Sequence, residues 1–170
     1  MSSLILEGMD FISGIIPVDL QTAADNNGDW ICVRNMRRFG VLFLKGAGTA
    51  GEDPTLTMEQ ATAVAGTSAK ALNFTRIYTK QGAALTSVGV WTKVTQAAAS
   101  TYTDLASAEV QAMWFAEWLA AELDVNNSFD CIRASIACTG ATAGQIGTLL
   151  YVGELNTHQA PENMLSNIID

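Results

Sequence analysis

Apolar and polar residues alternate over several short runs of this chain, and turns rich in glycine, asparagine and serine separate the runs. In the run 55–60, Leu56, Met58 and Gln60 alternate with two threonines and a glutamate. A period of two places each set on its own face of a strand. Further strand-type runs cover 30–36, 39–45, 72–79, 84–94, 129–138 and 147–155. Residues 95–107 are small and polar and predict a loop. The pattern predicts an all-β antiparallel sandwich or jelly-roll-like barrel with little helix.

The segment 110–123, VQAMWFAEWLAAEL, fits either a helix or a strand. Its alanine, leucine and glutamate content favours a helix by propensity. Its apolar residues, however, cover an arc that is too wide for one helical face. As a strand, the segment would place Trp114 and Trp118 on the same side. The residues alone leave both possibilities open.

The two ends of the chain carry few periodic apolar positions. Residues 1–29 contain Pro17 and end in a cluster of turn formers, and residues 156–170 are polar and contain Pro161. We therefore expect an N-terminal arm over 1–29, a single β-sandwich domain over 30–155 and a C-terminal tail over 156–170.

Length and composition fit one soluble domain with its own core, because the chain has 170 residues of which 49% are apolar. No apolar run approaches the roughly 20 residues that span a bilayer. The first residues also lack the basic region and apolar core of a secretion signal. We expect a soluble, unprocessed protein that makes no membrane contact.

Charge is unevenly distributed along the chain, whose net charge is −8. Residues 1–33 carry five acids and no base, and residues 34–93 carry eight bases and three acids. Residues 94–170 carry nine acids and, as their single base, Arg133. An acidic chain is poorly suited to phosphate backbones, so we expect no nucleic-acid partner. The blocks are either chance scatter or complementary surfaces of neighbouring copies or of a partner.

Few residues of this chain suit metal binding or nucleophilic catalysis. Cys32, Cys131 and Cys138 are an odd number without C-x-x-C spacing, which indicates buried thiols and neither a disulfide framework nor a zinc site. A histidine-rich metal centre or a Ser-His-Asp triad would have to use the single histidine, His158. We expect no metal and no cofactor.

Acidic residues offer two weak candidate sites. Glu52 and Asp53 are adjacent in a glycine-rich loop, but the calcium-loop template is absent and no lysine stands in the phosphate-loop position. Glu117, Glu122 and Asp124 lie close enough in sequence for acid and nucleophile roles in a glycosidase. Acids near a strand end are more often a solvated rim, so we expect no enzyme and no catalytic residue.

Five residues are candidates for an interface. Arg34, Arg37 and Arg38 form the densest basic cluster and suit carboxylates of a partner or of a neighbouring copy. The alternative for the arginines is a solvated turn between two strands. Trp114 and Trp118, if they share a strand face, belong either to the core or to a subunit interface.

Two blocks of the sequence resemble small structural proteins encoded among the head genes of tailed bacteriophages. The first block runs from Gly28 to Lys80. The second contains LeuAspVal and PheAspCysIleArg within 123–133, followed by a threonine and glycine loop and a final LeuTyr strand within 145–152. In that family the segment before LeuAspVal is a strand, so the resemblance implies β structure over 110–120.

The resemblance implies a virion protein on the capsid exterior, namely a decoration or cement protein that binds the major capsid protein. It also implies self-association, with a homotrimer expected. On this view, an arm-like N-terminus would contact the lattice. A domain lacking residues 1–20 would then remain folded but would no longer decorate shells.

Three alternatives to decoration remain open. Tryptophans on one surface, Trp91 above all, suit a carbohydrate-binding or host-attachment module on the particle. A minor tail component is compatible with the same resemblance. A small hydrolase would have to use Glu117 or Asp124.

Overall fold

The computed structural model of the protein describes residues 5–21, 25–138 and 144–168. Over these residues the chain forms two antiparallel sheets packed face to face, which confirms the predicted all-β sandwich. Its helical part is the short α1 (Ile5–Gly8) together with 3₁₀ turns at Leu85–Ser87, Ala120–Glu122, Val125–Asn127 and Pro161–Asn163. Within the described ranges, no helix is long and apolar enough to cross a bilayer.

Each sheet is antiparallel throughout its described pairings. The strands are β1 (Met9–Asp19), β2 (Asp25–Asn27), β3 (Ile31–Cys32), β4 (Met36–Lys45), β5 (Pro54–Ala61), β6 (Lys70–Ala71), β7 (Phe74–Gly82), β8 (Thr92–Ala99), β9 (Thr101–Thr103), β10 (Gln111–Leu119), β11 (Cys131–Cys138) and β12 (Ile146–Leu155). The first sheet has the order β1-β12-β4-β10-β7-β8. The second has the order β2-β11-β5-β6, and β3 and β9 pair with β11 and β5 respectively.

The core lies between the sheets and is built from alternate residues of the paired strands. In β5, Leu56 and Met58 are fully buried, as the period of two predicts. In β10, Trp114 is fully buried and its ring meets Tyr102 of β9 edge-on, with ring centroids 4.9 Å apart. Aromatic side chains from both sheets thus fill the space between them, where they bury large areas of apolar surface.

The ambiguous segment 110–123 is a strand over Gln111–Leu119, as the resemblance implied. β10 is flanked on both sides, by β4 from Ala112↔Lys45 to Leu119↔Arg38 and by β7. Its helix propensity is overridden because two neighbouring strands satisfy the backbone and an alternating face enters the core. The helical tendency survives in the 3₁₀ turn that follows, Ala120–Glu122.

The predicted loop over 95–107 is wrong over most of its length, because β8 extends to Ala99 and β9 covers Thr101–Thr103. β8 is the last strand of its sheet and pairs with β7 alone, so most of its side chains are exposed. An edge strand of this kind is stabilised by backbone pairing, and its sequence shows no buried apolar face. The strand predicted over 84–94 instead contains the 3₁₀ turn Leu85–Ser87 and only the start of β8.

The segment predicted as an N-terminal arm contributes strands to both sheets. β1 pairs with β12 from Met9↔Glu154 to Asp19↔Ile146, and β2 pairs with β11. Register shifts occur twice within β1, between Ser13 and Val18. Each such irregularity breaks the period of two, so the sequence shows no strand pattern here. The boundary at residue 29 therefore divides strands that belong to one sandwich.

The described part of the C-terminal tail contacts the sandwich through the backbone. Gln159 donates its N–H to the carbonyl of Glu7 (3.0 Å), and Cys32 donates its N–H to the carbonyl of Asn167 (2.6 Å). The tail thus runs beside α1 and along the free edge of β3.

Candidate interaction surface

The outer face of the first sheet is apolar across its central strands. Directly opposed residues share a face, and the register aligns Leu150 of β12, Leu42 of β4, Phe115 of β10 and Tyr78 of β7 in one row. The neighbouring rows contribute Phe11 with Val152, and Leu44 with Met113. We call this surface the apolar face and define it by these residues and Trp91: Phe11, Leu42, Leu44, Tyr78, Trp91, Met113, Phe115, Leu150 and Val152.

Several side chains of the apolar face are open to water. Phe11 is 47% exposed, Trp91 41% and Leu44 37%. The Trp91 ring lies over Phe115, with ring centroids 6.5 Å apart. β4 carries large apolar side chains inward, including Phe43, and outward, including Leu44. Such near-continuous apolar sequence is typical of strands that are covered on both faces.

The outer face of the second sheet is polar where β5 and β11 pair, in contrast to the apolar face, and Trp30 lies over Arg133 at its edge. Arg133 of β11 lies opposite Glu59 of β5 and binds its Oε2 through Nη2 at 2.6 Å. Thr57 lies opposite Ser135, and the hydroxyls of Thr55 and Thr103 are 2.6 Å apart. This is the hydrated outer face that a sandwich normally presents to solvent.

A groove of about 430 Å³ lies at one end of the apolar face. Its floor is open because residue 40 is glycine: a Cβ there would lie 2.8 Å from the Phe115 ring. Polar side chains ring it, namely Arg38, Glu117, Glu154 and His158. At the opposite end of the face, a depression of about 470 Å³ is lined by residues that include Pro17, Leu44, Leu85 and Ile146.

The three candidate arginines are exposed and each is paired with an acid of the same chain. Arg34 Nη2 lies 2.8 Å from Asp130 Oδ2, and this hydrogen bond raises the pKa of Arg34. Arg37 pairs with Glu154, and Arg38 Nε lies 3.6 Å from the same carboxylate. Part of the charge complementarity seen in the sequence is therefore satisfied within one molecule.

Trp114 and Trp118, the other interface candidates, lie in the core. Trp114 is 0% exposed and Trp118 is 4% exposed. Trp118 stacks on Phe39 at a centroid distance of 5.6 Å and donates its indole N–H to the carbonyl of Asn73 (3.2 Å). Of the two alternatives for this strand face, the structure supports core, because the second sheet covers it.

The candidate acids bind neighbouring groups of the same chain. Asp124 accepts hydrogen bonds from Lys70 and Asn127, which lower the pKa of its carboxyl group. Glu122 accepts the N–H of Leu119 at 2.7 Å. In the glycine-rich loop, Asp53 Oδ1 accepts the N–H of Ala108 at 2.8 Å, so it fixes the loop that precedes β10. These acids act as local structural ties.

The three cysteines are buried, as predicted. Cys32 of β3 and Cys131 of β11 are directly opposed across the strand pair, and Asp130 lies beside them. Cys138 stands apart at the far end of β11, with its Sγ 3.4 Å from Gln145 Oε1, and burial raises the pKa of its thiol. Sequence spacing could not reveal the Cys32 and Cys131 pair, because strand register creates it.

No protein-family model matches the sequence, and no curated protein matches it. Among solved structures, the chain is similar to the Clostridium thermocellum N-terminal endo-1,4-β-D-xylanase 10B, in its CBM22-1 and GH10 modules complexed with xylohexaose. The match covers 88% of this chain and 29% of that chain, with 9% identity and a TM-score of 0.35. This chain thus spans less than a third of that protein, and so weak a likeness carries no argument.

Proposed function

We propose that this protein is a non-enzymatic structural protein of a tailed-bacteriophage virion. It decorates the capsid exterior and stabilises the shell by binding the lattice of the major capsid protein. The observation that carries the proposal is the apolar face, because the opposite outer face is polar and already suited to water. The resemblance of residues 28–80 and 123–152 to phage head proteins supports the same assignment.

The proposed occupant of the apolar face is an apolar patch of the major capsid protein. Contiguous exposed apolar surface on a small domain is typical of sites that bind another protein. Removing such surface from water gains about 25 cal/mol per Å². The charged pair at one rim, Arg38 with Glu154, is satisfied within the chain and needs no charged partner. The face therefore suits an apolar partner surface better than an acidic or basic one.

The binding site is repeated over the capsid lattice, so individually weak contacts are sufficient to hold an oligomer on the shell. Once one subunit of an oligomer is bound, its linked copies bind their own sites at high effective concentration. A homotrimer, which the resemblance implies, would present three apolar faces to three neighbouring sites. A bound subunit that bridges capsid proteins stabilises the assembled shell, because it binds that state and not the dissociated one.

The proposal is tested by Leu44→Glu, with Thr57→Glu as the matched control on the polar outer face. Both positions point away from the core, so both variants are expected to fold. Leu44→Glu places a charge within the apolar face and is expected to lower shell occupancy at least about tenfold, since burying an unpaired charge costs several kcal/mol. Co-sedimentation with undecorated shells of the phage that encodes the protein measures occupancy.

The control should occupy shells as the parent does. Equal occupancy of parent, Leu44→Glu and Thr57→Glu would reject the apolar face as the binding surface. Failure of the parent protein to bind shells at all, or shells whose heat resistance is the same with and without it, would reject capsid decoration.

A carbohydrate-binding role is the second candidate, and one observation favours it. Trp91 is the exposed tryptophan of the four, and it forms part of an aromatic row with Phe115. Exposed rings can stack on sugar rings, but Lys80 Nζ lies 5.0 Å from the Trp91 ring centroid and covers part of it. Glycan-array binding that is lost in Trp91→Ala, with unchanged shell stability, would favour this role over decoration.

A further inference from the structure

We propose that Cys32, Cys131 and Asp130 form a binding site for a thiophilic divalent cation such as Zn²⁺. The site lies where β3 meets the start of β11, on the second sheet and away from the apolar face. It is independent of capsid decoration, and it goes beyond the cysteine spacing, which by itself indicates no zinc site.

Strand register brings the two thiols together. Cys32 is the direct partner of Cys131. The next residue, Val33, donates its N–H to the carbonyl of Asp130 (2.8 Å), whereas the Cys32 N–H points outward to the carbonyl of Asn167. Cys32 and Cys131 are therefore a non-hydrogen-bonded pair, the type in which opposed side chains approach most closely.

The three ligand atoms lie close enough to share one ion. The two Sγ atoms and a carboxylate oxygen of Asp130 all lie within 4.8 Å of one another. Cys131 Sγ is 3.4 Å from Asp130 Oδ1. Thiolates bound to one tetrahedral zinc are about 3.8 Å apart, given Zn–S bonds of about 2.3 Å. Small side-chain rotations therefore bring all three atoms into coordination distance.

Charge and burial fit a dication at this position. Cys131 is 0% exposed and Cys32 is 8% exposed, and Trp30 packs against them. Two thiolates and the Asp130 carboxylate would supply three negative charges. A divalent ion together with Arg34, which binds the other carboxylate oxygen at 2.8 Å, would neutralise them. The arginine also holds Asp130 in orientation, as outer partners of metal ligands commonly do. Asp130 is half-buried, so water on its solvent-facing side would supply the fourth ligand.

A cross-strand disulfide is the competing outcome for the same pair. The Cα atoms of a non-hydrogen-bonded pair are about 4.5 Å apart, at the short end of the range that disulfides accept. The adjacent carboxylate favours metal binding, because it supplies a third ligand for an ion and has no part in a disulfide.

The test uses the reduced full-length protein and Co²⁺ as a spectroscopic probe. We expect one equivalent of Co²⁺ to give a thiolate-to-metal charge-transfer band. Zn²⁺ should displace the Co²⁺ and raise the midpoint temperature of thermal unfolding. Cys32→Ser and Cys131→Ser should each lose most of the band, and Asp130→Asn should bind Zn²⁺ about tenfold or more weakly. Cys138→Ser is the matched control, since it removes a buried thiol of the same strand, and it should retain the band.

Several results would overturn the site. These are the absence of the band in the parent protein, its persistence in Cys32→Ser, and an equal loss in Cys138→Ser. Loss of two hydrogens by mass, with no metal uptake before reduction or after it, would assign the pair to a disulfide instead. The cadmium NMR shift of the parent reports directly whether two thiolates bind the ion. This measurement needs no variant and decides the question even if a serine variant fails to fold.

Discussion

At the scale of single residues, Lys45 is the most unusual side chain of the core. It is 2% exposed, at the end of β4. Its ammonium group donates to the carbonyls of Val110 (2.9 Å), Gly46 (3.1 Å) and Ala108 (3.3 Å). Burial lowers the pKa of Lys45 to about 8. The lysine thereby ties the loop before β10 to the end of β4 through the carbonyls of Ala108 and Val110.

We predict that Lys45→Met lowers the free energy of unfolding at neutral pH by about 1–3 kcal/mol, because buried carbonyls lose their donor. The difference in unfolding free energy between the parent and Lys45→Met should increase between pH 8 and 10.5. Over that range the folded parent releases the Lys45 proton before the unfolded chain does, and stability rises with pH wherever the unfolded state binds more protons. Urea unfolding across this range measures both effects.

Two comparisons isolate the Lys45 contribution. Tyr102, whose pKa burial raises to about 12, destabilises both proteins above pH 10 and so cancels in the difference. Lys93→Met, at an exposed position of β8, is the matched lysine control. An effect of the same size at Lys93 would contradict the role given to Lys45.

The tryptophans provide a second prediction at this scale. Trp118→Ala should cost about 3–5 kcal/mol of stability, because it leaves a cavity against Phe39 and Phe74. Trp91→Ala should cost about 0.5 kcal/mol or less, since that ring lies at the surface. Chemical denaturation of the two variants compares them directly. Similar small losses would return Trp118 to the list of interface residues.

At the scale of elements, β1 makes the N-terminal segment part of the folded domain and not a separate arm. Ile15 and Leu20 are buried, and the strand covers the edge of β12. Deletion of residues 1–20 should therefore abolish cooperative unfolding and promote aggregation. It removes two buried side chains of the core and uncovers a long strand edge on β12. This reverses the sequence-based expectation that the shortened domain stays folded.

Circular dichroism and thermal melts of the shortened protein test the prediction. Deletion of residues 1–4 is the control, because it leaves every described strand intact. A shortened protein that unfolds cooperatively at nearly the same midpoint temperature as the parent would show that β1 is dispensable for folding.

Strands were predictable where one face alternates and is buried, and were missed where register shifts or small exposed residues hide that alternation. β5 and β11 show the period of two and were found from sequence. β1 was missed because its register shifts break that period, and β8 because its exposed small residues form no apolar stripe. The fold class therefore followed from the central strands, whereas the edges required the structure.

The candidate surface was less predictable than the fold. The continuous apolar run of β4, FGVLFL, was a signal that both faces of the strand are apolar, yet sequence alone does not say which side is covered. The Cys32 and Cys131 pair depends on the register of β3 against β11, which residues 99 positions apart do not disclose.

At the scale of the whole molecule, the two outer faces differ in kind. One is apolar and ends in grooves, and the other is built from threonine, serine and an Arg133–Glu59 pair. The most basic cluster, Arg34 to Arg38, is matched internally by Asp130 and Glu154. Association of this molecule should therefore depend on apolar burial more than on charge.

We predict that shell binding is retained, or strengthened, when salt is raised from about 0.1 M to about 1 M. Salt at that level shortens the screening length from about 10 Å to about 3 Å and weakens contacts between exposed charges. It does not weaken apolar contacts in the same way. Co-sedimentation at the two salt concentrations measures the effect. Release of the protein at high salt would assign docking to the charge blocks of the sequence.

Because just one of the two broad sides is apolar, the proposed attachment would be self-limiting. A subunit held by that side turns hydroxyl groups and a matched ion pair outward, so the described strands of the outward side offer a further subunit little apolar surface to bind. Decoration would stop at a single layer at any protein concentration, and the decorated particle would keep a hydrophilic outer surface.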